Sequence, residues 1–302
     1  MNDPARLLCV GALTYDTIFR LEALPCRGGK YLPSEMMQIA AGMAASAATA
    51  ATRQGGSVSL WSSVGNDAVG REMIEQMRKE RVDCSHVRGV EGGKSAISTI
   101  LVDAEGERIV VPYYDPLTQS DPASFPFDLA GYGAVMVDAR WPGAAALALE
   151  AARDVGIAAV FDADVAPKSV LERLLPLATH VVASLPAACI LAGDTASAEE
   201  AAASLHKKTG VFVAVTDGAR GSWFVRSGKL GYVPSPQVEA VDTLAAGDVC
   251  GTFALALAED RDEEEALAFA SAAAALKCRR FGGRLGAPTR EETLAFMRGG
   301  DR

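Results

Sequence analysis

The sequence is short of several residue types, and each shortage excludes something. Its six cysteines (Cys9, Cys26, Cys84, Cys189, Cys250 and Cys278) are scattered without a C-x-x-C pair, so neither a zinc site nor a disulfide framework is expected. Cys9, Cys189, Cys250 and Cys278 lie in apolar surroundings and read as small buried hydrophobes. Only three histidines occur, His86, His180 and His206, each isolated and read as structural. Positive charge is scarce: 29 Lys and Arg against 38 Asp and Glu give a formal net charge of −9. Such a chain has no field to collect a phosphate backbone, so nucleic acid is not an expected partner. The basic cluster Arg78, Lys79 and Arg81 is broken by Glu80 and reads as a solvated helix face. No apolar run reaches the roughly 18 residues that span a bilayer; the nearest, 40–52, is interrupted by Gly42, Ser46 and Thr49. No basic stretch precedes an apolar core in the opening MNDPARLLCV, so no signal peptide and a cytoplasmic location are expected. Neither Gly11 nor Gly65 opens a G-x-G-x-x-G run, which argues against a dinucleotide-dependent oxidoreductase.

What is present is an ordinary globular mixture of 302 residues, 49% hydrophobic and 22% charged. Apolar runs at 7–13, 58–64, 134–137, 158–161, 180–183 and 211–216 alternate with helical patterns at 43–53, 68–80, 144–155, 168–175 and 198–208. Continuous apolar runs mark strands buried on both faces, and the βαβα order implies an α/β fold with a mainly parallel sheet between helices. Two regions break the rhythm. Strand-like pieces at 17–22 and 30–39 flank the turn Pro25-Cys26-Arg27-Gly28-Gly29, and 96–102 and 108–113 form a hairpin about Ala104-Glu105-Gly106. Together they predict a small second sheet, for which a lid over a ligand and a plain sheet extension both fit. A further hairpin, 223–226 and 230–233, precedes two alanine-rich helices at 246–259 and 263–279. No repeat or linker divides the chain, so 1–302 is read as one domain, with segments near 14–39 and 96–113 as insertions.

The segment richest in chemistry is Asp242-Thr243-Leu244-Ala245-Ala246-Gly247-Asp248. Small residues opening a helix let backbone amides approach an anion, and the helix dipole favours negative charge there. Asp248 in the same turn suits proton abstraction from a hydroxyl; simple N-capping by Asp242 or Asp248 suits the same residues. Arg140, in Asp138-Ala139-Arg140-Trp141, follows the apolar strand at 134–137. Beyond the carboxyl end of such a strand a guanidinium can grip a phosphate, carboxylate or sulfonate, or simply pair with Asp138 or Asp162.

These residues resemble the ribokinase-like (PfkB-type) carbohydrate kinases, whose C-terminal signature reads D-T-x-G-A-G-D; here Ala245 replaces its first glycine. Four other landmarks stand in family order: Gly11 with Asp16, the turn Ala41-Gly42-Met43-Ala44-Ala45-Ser46, the segment Val64-Gly65-Asn66-Asp67-Ala68-Val69-Gly70, and Thr216-Asp217-Gly218 with Gly221. The resemblance implies a three-layer sandwich with a β-sheet lid, and ATP- and Mg2+-dependent phosphorylation of a sugar primary hydroxyl, with a monovalent cation such as K+ and a homodimer through the lid sheet. It implies Asp248 as base and the amides of Ala245, Ala246 and Gly247 as an anion hole. Asp16, Gly42 and Ser46 are implied to hold the sugar, and Ser184, Thr216, Gly218 and Gly221 the nucleotide; metal ligands are left unassigned. Ser184-Leu185-Pro186-Ala187 stands where the family carries N-x-x-E, with Asp162 and Asp164 as substitutes for the missing acid. Gly29-Lys30-Tyr31, Asp138-Ala139-Arg140-Trp141, Ala275-Leu276-Lys277-Cys278 and Gly282-Gly283-Arg284 are closest to the sulfofructose kinase branch. That implies an anionic sugar such as 6-deoxy-6-sulfofructose, gripped by Lys30 and Arg140 beside Gly29, although Pro112 stands where that branch has Asn. A nucleoside kinase of the same fold and a non-catalytic sugar-binding regulator are the alternatives.

Overall fold

The uninterrupted apolar runs become neighbouring strands of one sheet, because only a strand covered on both faces can be apolar at every position. A computed structural model of the chain describes residues 3–193, 197–247 and 250–299. Numbered along the chain, β1 (Arg6–Val10), β4 (Ser57–Trp61), β9 (Ala134–Asp138), β10 (Ala158–Ala163), β11 (His180–Ser184) and β12 (Phe212–Thr216) pair in parallel. The hairpin β13 (Ser222–Arg226) and β14 (Lys229–Val233) extends them antiparallel, giving the order β14-β13-β12-β11-β10-β9-β1-β4.

Alternation along the strands feeds two cores. Leu8, Val10, Val135, Val137 and Phe161 face a core shared with α3 (Pro142–Val155), α4 (Lys168–Leu174), α5 (Leu185–Ala192) and α6 (Ala198–Thr209). Leu7, Cys9, Met136 and Val160 point the other way, toward α1 (Met43–Arg53), α2 (Ala68–Lys79), α7 (Cys250–Ala258) and α8 (Glu263–Cys278). Two-residue periodicity thus makes a three-layer sandwich, and each fully buried aliphatic side chain contributes about 1.5–3 kcal/mol. A last helix, α9 (Arg290–Met297), starts in a Thr289–Glu292 capping box.

The second sheet exists, in the order β3-β2-β7-β8, from β2 (Thr14–Arg20), β3 (Glu35–Ala41), β7 (Ile97–Val102) and β8 (Arg108–Tyr113). Two boundaries are corrected. The strand expected at 17–22 runs Thr14–Arg20, and the one expected at 30–39 runs Glu35–Ala41, which leaves Gly29 and Lys30 exposed on the connecting loop. Pro25 and Pro33 lack an amide for the ladder, and Gly28 and Gly29 lose the most entropy on extension, so this stretch forms a loop. The run at 58–64 also divides: β5 (Ser63–Gly65) leaves the main sheet to pair with β6 (Arg88–Val90).

Candidate active site

The carboxyl ends of the parallel strands bring most of the predicted residues to one edge. Ser184 ends β11 and Thr216 ends β12, directly opposite each other in the ladder. After Thr216 the chain turns through Gly218 to Gly221 and re-enters the sheet as β13. Gly221 has φ +84°, and a Cβ there would lie 2.5 Å from the Val233 carbonyl oxygen, so only glycine closes this turn. Facing the turn is the loop 242–247. A cavity of about 270 Å³ lies between them, with Thr216, Gly218 and Gly221 on one side, and Thr243, Ala246 and Gly247 on the other. Val182, Cys250, Phe253 and Leu267 also line it. A lining that combines small residues such as Gly218, Gly221, Ala246 and Gly247 with apolar ones such as Val182, Phe253 and Leu267 suits a ligand having a phosphate end and an aromatic ring.

Loop 242–247 is held from behind. Asp242 is buried; its Oδ1 accepts the Leu244 N–H at 2.7 Å, and its Oδ2 accepts those of Gly282 and Gly283, each at 3.0 Å. The Ala246 N–H closes a turn on the Thr243 carbonyl at 3.2 Å. Ala245, in place of the signature glycine, sits at φ +62°, the left-handed region that strains a residue with a Cβ. The β7–β8 hairpin reaches this loop, for Arg108 donates to the Thr243 hydroxyl at 2.6 Å. Asp248 lies outside the described residues; it follows Gly247 in the chain.

A second group lies where β2 meets the start of α1. Asp16, on β2, is buried, accepts the Thr14 hydroxyl at 2.7 Å and is also hydrogen-bonded by Ser98. Burial pushes its carboxyl above the usual range, and the two hydroxyls only partly offset that. Thr14 is paired with Ala41, so the strand brings Asp16 close to Gly42, the N-cap of α1. Gly42 has φ +100°, and a Cβ on it would stand 2.6 Å from the Ala12 carbonyl oxygen. Ser46 follows one helical turn on and is buried.

Arg140 stands at the carboxyl end of β9. Its guanidinium donates to the Val165 carbonyl at 2.8 Å and pairs with Asp164 at 3.5 Å, a partner different from the Asp138 or Asp162 considered from sequence. Asp164 also accepts the Ser184 hydroxyl at 3.0 Å, so a polar chain runs from Arg140 through Asp164 to Ser184. The side chain of Arg140 remains about a quarter exposed. Lys30 is exposed on the loop between β2 and β3, and Pro112 on β8 pairs with Ser98, the neighbour of Asp16.

Residues 4–290 match the family described as pfkB family carbohydrate kinase. The chain belongs to that family. A ribokinase of Haemophilus influenzae is 30% identical over 96% of this chain and 98% of its own length. A crystal structure from Agrobacterium tumefaciens, provisionally described as a ribokinase, is 46% identical with a TM-score of 0.95 and covers 98% of each chain. The nucleoside kinase of Burkholderia thailandensis in complex with inosine shares the fold, with a TM-score of 0.80 at 21% identity over 98% of this chain and 97% of its own. The family and its ribokinase-like fold make this chain a carbohydrate kinase.

Two residues that enter the sequence reading only inside motif segments are tied into this site. Asp138 enters that reading only as a possible partner for Arg140, yet it is fully buried at the meeting point of β1, β9 and α1. Its Oδ2 accepts the N–H groups of Ala12 at 2.8 Å and Ala44 at 3.0 Å, and its Oδ1 that of Arg140 at 2.7 Å. Burial raises its carboxyl above the ordinary range against the pull of those amides. An acid directly after a buried strand is the signal that pointed to it. Lys277 is the other, named above only within Ala275-Leu276-Lys277-Cys278; its ammonium lies against Asp242 at the base of loop 242–247.

Proposed function

We propose that this kinase transfers the γ-phosphoryl group of ATP to a primary hydroxyl of a sugar. The carrying observation is the cavity of about 270 Å³ between the Thr216–Gly221 turn and loop 242–247, whose size and mixed small and apolar lining suit a nucleotide. In this reading the adenine enters the apolar interior, Thr216 and Ser184 meet the phosphates, and Gly247 and its neighbours face the transferring group. Asp248 takes the proton of the sugar hydroxyl as the new O–P bond forms; the bond to the β-phosphate bridging oxygen breaks and ADP leaves. Asp16, the Gly42 turn and Ser46 hold the other sugar hydroxyls, and the small sheet serves as their lid. Among the described residues no three His, Cys, Asp or Glu side chains converge on a metal site. Mg2+ is commonly held by one or two carboxylates with the substrate phosphates, and the partly exposed Asp164 beside Ser184 fits that role. Bound there, Mg2+ would neutralise charge on the phosphates.

For the sugar itself we propose an anionic group far from the reacting hydroxyl, with 6-deoxy-6-sulfofructose first and phosphorylated or carboxylated sugars next. Arg140 supports this: a partly exposed guanidinium at the carboxyl end of β9 uses two of its five N–H groups on Val165 and Asp164. A charge-assisted contact worth about 1.5–3 kcal/mol gives roughly ten- to a hundredfold in kcat/KM. Arg140→Ala should therefore cost that factor on the anionic sugar and leave a neutral sugar nearly unchanged. Fructose, sulfofructose, fructose 6-phosphate and 2-keto-3-deoxygluconate, compared on both proteins, test it; equal losses on neutral and anionic sugars would sink the clamp. A neutral sugar or nucleoside is the second reading, favoured by the Arg140–Asp164 pair already formed and by Pro112, which offers no N–H donor. Wild-type preference for ribose, adenosine or inosine would establish it.

The raised Asp16 carboxyl gives a pH signature. Sugar hydroxyls donate to the ionised form, so KM should rise about tenfold per pH unit once the pH falls below that raised value. The stability contribution runs the opposite way: the neutral form suits burial, and its advantage disappears as the pH rises through the folded value. Asp16→Asn should flatten the KM profile; an unaltered profile would remove Asp16 from the sugar site.

The same reading has two copies joined through the lid sheet. Its edge strand β8 is exposed throughout, with Val111 and Tyr113 on one face and Val110 on the other, apolar surface that a lone lid would leave wet. Sedimentation should give twice the chain mass, and Val111→Glu should give one chain mass. Single-chain mass for the wild type would contradict it.

A further inference from the structure

Lys277, in the last turn of α8, is 2% exposed, and lysine is almost never buried this far unless it is paired. Its ammonium donates to the Asp242 main-chain carbonyl at 2.8 Å and stands 3.3 Å from Asp242 Oδ2. Further bonds tie Asp242 to the same end of α8, since the N–H groups of Val241 and Asp242 both donate to the Cys278 carbonyl. The charge therefore sits at the root of loop 242–247, five residues along the chain from Gly247, which lines the cavity.

Family resemblance carries the expectation of a monovalent cation such as K+, which binds in cages of carbonyl and carboxylate oxygens. Behind this loop the carbonyl and carboxylate of Asp242 are such oxygens, and Lys277 already holds them. A free cation among the same oxygens would face an ammonium at contact distance in a buried site, where like charges repel strongly. A K+ ion does not fit there. We infer that Lys277 is the tethered cation of loop 242–247, and that this chain requires no free monovalent cation to hold the loop in place. The importance of the loop for phosphoryl transfer rests on the proposed function; its stabilisation by Lys277 does not.

The test compares KCl with tetramethylammonium chloride at equal ionic strength, so that screening is the same in both. Two quantities are read: the Tm of the ligand-free protein and the rate of phosphoryl transfer. For the wild type both should agree in the two salts, the rates to within about twofold. Lys277→Ala opens space beside the Asp242 oxygens, so its lowered Tm should rise again by about 2–4 °C in K+ and not in tetramethylammonium. Lys277→Met fills that space without charge and should not respond. A wild type whose Tm or rate climbs with K+ overturns the inference, and so does a folded Lys277→Ala that melts alike in both salts. If Lys277→Ala fails to fold, the wild-type comparison still decides. Absence of transfer to any sugar, with a K+-independent wild-type Tm and a K+-responsive alanine variant, would reject the kinase reading and leave the tethered cation standing.

Discussion

Replacing Asp248 with Asn should lower kcat by about 10²–10⁴-fold, the usual contribution of a general base. The amide keeps the shape of the side chain and cannot take a proton, so the loss belongs to the chemical step. Nucleotide affinity should change little, because the nucleotide-holding residues in this reading are Ser184, Thr216, Gly218 and Gly221. Steady-state kinetics together with calorimetric titration of ATP separate the two effects. Turnover within about threefold of wild type would show that another group accepts the proton, since a base worth at least 10²-fold would be missed.

A second large effect is expected at Asp138, this time on stability. Its two oxygens accept three backbone amides, from Ala12, Ala44 and Arg140, that join the ends of β1 and β9 to α1, the first two bonds buried and the third partly so. Asp138→Ala strands all three donors, each costing about 1–3 kcal/mol when left unpaired in the interior. Partial relaxation and entry of water reduce the sum, so a loss of roughly 3–5 kcal/mol is expected. Asp138→Asn keeps one acceptor oxygen and should fall between alanine and wild type. Urea unfolding of the three proteins measures this ladder. A loss below about 1 kcal/mol for alanine would mean the three amides find other partners, and the carboxylate would not be the junction of the three elements.

The sandwich was legible because its signals are local. Runs such as Val135–Met136–Val137 have no polar position, which only a two-sided burial explains, and α1 and α6 carry their patterns from end to end. Where competing signals meet, the sequence misled. α5 lacks a helical pattern in the sequence and carries Pro186, yet Ser184 caps the helix and proline is at home in its first turn. A strand through Lys30 does not form because Pro33 interrupts the apolar pattern, and β3 starts only at Glu35. The landmark turns stand out through glycines whose close contacts permit no side chain, as at Gly42 and Gly221. Partnerships were not legible. Asp138 lies 126 residues from Ala12, and Lys277 lies 35 from Asp242. Nothing along the chain tells which distant backbone a buried charge will meet until the sheet order is known.

The central claim is phosphoryl transfer to a primary sugar hydroxyl, and 31P NMR of a reaction with ATP, Mg2+ and the preferred sugar tests it most directly. A new phosphomonoester signal, coupled to the two protons of one CH2 group, should grow in step with ADP. A signal from inorganic phosphate alone, or a product phosphorylated at a secondary or anomeric hydroxyl, would contradict it.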